Sequence, residues 1–127
     1  MAVLLEKFKP DYARRETTTV TIASAASVSG TINLTNTSLI GFITPAAWTT
    51  AALNLEVSAD GSTWVSAYDA YGSQVGSIAT PVVSAGYAVD VSSLMPWQYA
   101  RFRSGTSAAP VVQVGNRVFT VVTRVLA

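Results

Sequence analysis

Apolar and polar positions alternate with a period of two through most of this chain. In TTTVTIA (17–23), Val20 and Ile22 share one face and the threonines the other. In TINL (31–34), Ile32 and Leu34 oppose Thr31 and Asn33, and in ALNLEVS (52–58), Leu53, Leu55 and Val57 oppose Asn54, Glu56 and Ser58. The same reading gives strands at SLIGFIT (38–44), TWVSAYD (63–69), SQVGSIA (73–79), GYAVDV (86–91), QYARFRS (98–104) and RVFTVVTRVL (117–126), each bounded by Gly, Pro, Asn or Ser. About nine short strands without a helical period predict an all-β fold, an antiparallel sandwich of the jelly-roll or immunoglobulin type. PAAWTTAAL (45–53) and SSLMPW (92–97) each have room for a helical turn. SADGSTW (58–64) reads as a hairpin corner: Asp-Gly tolerates the positive φ of a tight turn, and Trp64 follows to cover the departing strand.

The distribution of charge divides the chain in two. Of the eight basic and seven acidic residues, Glu6, Lys7, Lys9, Asp11, Arg14, Arg15 and Glu16 lie in the first sixteen positions; Glu56, Asp60, Asp69, Asp90, Arg101, Arg103, Arg117 and Arg124 serve all the rest. Residues 1–16 therefore read as an extended N-terminal arm and 17–127 as a single sandwich domain. A body clothed in Ser, Thr, Ala, Asn and Gln suits a subunit whose surface meets other protein. Within the arm, Phe8, Arg14 and Arg15 are the residues expected at a subunit contact. Interleaved Glu6, Asp11 and Glu16 cancel most of what its basic residues would gain on phosphates, and the net charge is +1, so no nucleic-acid partner is expected.

Few chemistries fit the remaining side chains. With no cysteine and no histidine, thiolate metal sites and the commonest general base are absent from the sequence. Asp60 and Asp69 fall in turns, no ion-binding loop pattern is present, and the chain is expected to be no enzyme and to hold no metal or cofactor. MAVLL is too short for a signal-peptide core and no later apolar run reaches bilayer length, so a protein made in the cytosol without a membrane partner is expected. In YARFRSG (99–105), alternation sends Ala100 and Phe102 to one face and Tyr99, Arg101 and Arg103 to the other. With Trp48, Trp97 and Tyr71 in loops, this stripe reads as a solvated outer sheet face whose arginines lie over apolar neighbours, with an anionic sugar or the carboxylates of a neighbouring subunit as the alternative partners.

LEVSADGSTWVSAYD together with PWQYARFRSG resembles the hairpin and penultimate strand of discoidin-like and carbohydrate-binding jelly rolls. SLIGFITPAAWTTAALNLEVSADGSTWVSAYDAYGSQV with RFRSGTSAAPVVQVGNRVFTVV is similar to small virion proteins of tailed bacteriophages, over about residues 38–125. That resemblance implies a jelly roll on the capsid exterior, a decoration or cement protein or the base of a head fibre, with the major capsid protein and further copies of itself as partners. Threefold lattice positions would favour a trimer. The alternatives are a carbohydrate-binding adhesion module using Trp48, Trp97, Tyr99, Arg101 and Arg103, and a ring component of a tail or baseplate.

Overall fold

The computed structural model describes residues 14–90 and 92–125. Eight strands form: β1 (Arg15–Ile22), β2 (Ile32–Asn33), β3 (Thr37–Ile43), β4 (Leu53–Ser58), β5 (Val65–Ser66), β6 (Gly86–Ala88), β7 (Tyr99–Ser104) and β8 (Arg117–Val125). They make two four-stranded sheets, β1-β8-β3-β6 and β2-β7-β4-β5, in which every pairing is antiparallel. First pairs with last, second with seventh, third with sixth and fourth with fifth, the order produced when one long hairpin is rolled up. The expected all-β jelly-roll sandwich is thus the observed architecture.

Apolar side chains of both sheets meet between them. Phe102 of β7 stacks on Phe119 of β8 with centroids 4.2 Å apart, and Phe42 of β3 meets Phe102 edge-on at 4.8 Å. Ile22, Leu39, Leu55, Val57 and Val121 complete this layer, each fully buried. Burying each such side chain contributes about 1.5–3 kcal/mol, which outweighs the weak intrinsic preferences of strands this short.

Three sequence expectations change. SQVGSIA forms isolated bridges, Tyr68 to Gln74 and Leu53 to Ile78, in place of a strand. Gly72 and Gly76 there adopt φ of 83° and 68°, and a Cβ on Gly76 would sit 2.4 Å from Leu55 Cδ1, so the segment doubles back against β4. Neither proposed helical turn forms a helix; residues 92–97 make hydrogen-bonded turns, with Trp97 N–H donating to the Leu94 carbonyl. Arg15 and Glu16, read as part of the N-terminal arm, pair with Arg124 and Thr123 in the first sheet.

Candidate functional site

β7 places Ala100 and Phe102 in the core and turns Tyr99, Arg101 and Arg103 outward, as alternation requires. The outward arginines are already engaged. Glu56 lies opposite Arg101 across β4 and β7 and is only 2% exposed. Its Oε1 accepts from Arg101 Nε at 2.8 Å, and its Oε2 accepts from Arg103 Nε. The guanidinium of Arg101 in turn lies 4.3 Å from the ring centroid of Trp64. Trp64 thus covers the outer face of the second sheet by stacking on an arginine. The sequence signal for this triad was present: Glu56 is an acidic residue in the middle of one predicted strand, and Arg101 and Arg103 are the basic pair of another. Register between the two strands was the missing knowledge.

The rest of this face is knitted in the same way. Asn54 donates to the Gly105 carbonyl at 2.6 Å and accepts from Ser77 Oγ at 2.7 Å and Gln74 Nε2 at 3.2 Å. Beside it, Asn54, Glu56, Ser66, Tyr68, Gln74 and Arg103 line a shallow polar groove, with Tyr68 56% exposed at its rim. Trp48 and Trp97 do not contribute to it. Trp48 precedes β4 and packs edge-on against Phe119 at 5.8 Å, its Nε1 donating to Ala51; Trp97 precedes β7, which runs antiparallel to β4. The two indoles therefore sit at opposite ends of β4, both packed against the core.

The aspartates serve turns. Asp60 Oδ1 accepts from the backbone N–H groups of Ser62 and Thr63 at 2.8 and 2.9 Å and from Ser58 Oγ, while Gly61 takes φ 83°. These donors, the Thr63 N–H foremost, hold its carboxyl below the usual value. Asp69 accepts from the backbone of Tyr71 and Ser73, and Asp90 from Ser92. SADGSTW is the hairpin corner it was read to be, in a longer loop joining β4 to β5. Among the described residues, no group of three or more acidic residues is placed to hold a metal ion, and no helix is long and apolar enough to cross a membrane.

The outer face of the first sheet has the opposite character. Register aligns Thr19, Thr120, Ile43 and Gly86 in one row across all four strands, and Thr17, Val122, Gly41 and Ala88 in the next. Val118 and Ile43 are 49% and 45% exposed, and charge enters only at the rim, where Arg15 faces Arg124. At the far end the face runs into loops 23–31, 44–52, 79–85 and 105–116, which contain no Asp, Glu, Lys or Arg and expose Val82, Val83, Val112 and Val114. Gln113, 1% exposed, pins these loops by accepting from Thr49 N–H and Arg117 Nε and donating to Ser104 Oγ. Ala25 and Ser84, the non-glycine residues with positive φ, lie here, each donating its N–H to another loop. Of the expected arm contacts, Arg14 is exposed and donates to Glu16, Arg15 lies in β1, and Phe8 falls outside the described residues.

The fold and these surfaces define an eight-stranded jelly roll whose second sheet spends its polar side chains internally and whose first sheet leaves an uncharged face open. No sequence family matches the chain, and no curated protein matches it. Among solved structures, its fold is similar to the crystal structure of the SPBc2 prophage-derived protein YomS, with a TM-score of 0.52 at 10% identity, covering 87% of this chain and 94% of that one.

Proposed function

We propose that this chain is a structural virion protein of a tailed bacteriophage, a capsid decoration or cement protein that lies on the head exterior and bridges capsid subunits. The observation that carries this reading is the uncharged outer face of the first sheet, continuous with charge-free loops and rimmed by Arg15 and Arg124. Such a face is costly to leave in water and is suited to burial against protein. A prophage-derived protein of similar fold supports the same assignment. In this reading Phe8, Arg14 and Arg15 tether the subunit while the face covers the shell. Binding the assembled shell and not its separated subunits favours assembly by linkage, about 2.7 kcal/mol per site at a hundredfold excess over Kd.

The test is co-sedimentation with mature, undecorated capsids, with capsid heat resistance as the second readout. Stoichiometric binding that raises the temperature of DNA release, and that is lost on deleting residues 1–13, supports the proposal; absence of binding overturns it. A second reading, recognition of a host-surface glycan, draws on the groove beside Tyr68. A glycan array on the same preparation discriminates, since sugar binding there would survive the deletion.

A further inference from the structure

β1 is an edge strand, and among the described residues its outer edge is uncovered where it leaves the core. Val125 N–H donates to the Arg14 carbonyl and Gly30 N–H to the Thr21 carbonyl, which fixes the phase of the strand. Even-numbered residues of β1 bond to β8, and Arg15, Thr17, Thr19 and Thr21 point their N–H and C=O groups away from it. Among the described residues only Thr21 meets a covering backbone group, because Ile22 bridges Ser29. Arg15 to Thr19 are exposed throughout, with no proline or bulge in the strand, and beside them an open cleft between the sheet edges is lined by Glu16, Thr18, Val20, Ile32 and Asn33. An edge with these properties is a template for another strand.

We infer that the occupant is β1 of a second copy, added antiparallel across a twofold axis at Thr17 to give a continuous eight-stranded sheet. The choice of partner and register follows from the sequence of the edge itself. Centred on Thr17, Arg15 faces Thr19 of the second copy and Thr17 faces Thr17, so all three free residues exchange both hydrogen bonds. Glu16 then faces Thr18 and Arg14 faces Val20, with no like charges opposed. Centring on Arg15 would set Arg15 against Arg15, and centring on Thr19 would require Thr21, whose carbonyl is already taken. The pairing joins two uncharged outer faces into one and carries two tethering segments, so it deepens the decoration reading by making attachment bivalent.

The experiment uses isolated full-length protein, so its failure is separate from any failure to bind capsids. Light scattering across a concentration series is expected to show a dimer, and Thr17→Pro to shift it to a monomer that still unfolds cooperatively, because the Thr17 N–H takes no part in pairing with β8. The chain has no cysteine, so Thr17→Cys provides a second test independent of whether the proline variant folds. Opposed Cα atoms about 5.5 Å apart lie within disulfide reach. Thr17→Cys should give covalent dimers on mild oxidation at least tenfold faster than Ser62→Cys in the hairpin corner. A monomer at all concentrations, equal cross-linking of the two cysteine variants, or an oligomer that Thr17→Pro leaves intact would each overturn the inference.

Discussion

The outer faces of the two sheets arise from the same alternation and end in opposite states. In β4 the alternate residues Asn54, Glu56 and Ser58 are as buried as the core residues between them. In β1 the alternate residues Thr17, Thr19 and Thr21 are all exposed. The second sheet covers its outer face with its own arginines, Trp64, Gln74 and Ser77. The first sheet covers its outer face with nothing among the described residues. Polar side chains on an outer strand face are therefore not by themselves a binding surface: those of the second sheet are partnered internally, and the outer face of the first sheet is the one left uncovered among the described residues.

The sharpest way to break this contrast is to remove Glu56. Glu56→Ala leaves two guanidinium groups side by side against a sheet, with Arg101 and Arg103 mostly shielded from water. Breaking a buried ion pair from one side costs about 3–5 kcal/mol, so the variant should lose a large part of its stability in urea denaturation. A loss below about 1 kcal/mol would mean that the second sheet's outer face behaves as solvated surface and that its arginines are available to ligands.

A smaller effect is expected at the hairpin corner of that sheet. The Asp60 carboxyl is held below its ordinary value of 3.8, so its charged form is favoured by the fold. The contribution is complete above the unfolded value and disappears as pH falls through the folded one. Asp60→Ala should thus lower the thermal midpoint at neutral pH, and the gap to the wild type should narrow as pH drops below about 4. A gap that does not change with pH would assign the effect to lost turn geometry rather than to charge.

Alternation alone places Leu55, Val57 and Phe102 in the core, and Asp-Gly with Trp64 marks the corner between β4 and β5. Other features depend on pairs distant in sequence. The Glu56 triad joins residues 45 and 47 positions apart, so it becomes visible once β4 and β7 are in register. SQVGSIA alternates as a strand does, but two positive-φ glycines fold it back before it can pair along its length. Trp48 and Trp97 were correctly read as loop residues, but loop position does not tell which way an indole faces: both turn to the core. The uncharged outer face was legible only as a deficit of charge, and the strand order supplied its shape.

The smallest change in stability belongs to that face, and it carries the most for function. Val118 lies half exposed in β8, opposite Thr21 and clear of the β1 edge residues proposed to pair. Val118→Lys removes little buried area and keeps every backbone bond, so unfolding should shift by about 0.5 kcal/mol or less. On a capsid the same lysine would have to leave water with no carboxylate on its own face to meet it, a penalty that one unpaired charge makes large relative to a single contact. Capsid affinity should fall about tenfold, or 1.4 kcal/mol, while the light-scattering mass stays that of the wild type. Unchanged capsid binding by this variant would move the docking surface off the first sheet, and binding lost together with the oligomer would show that face and edge act as one interface.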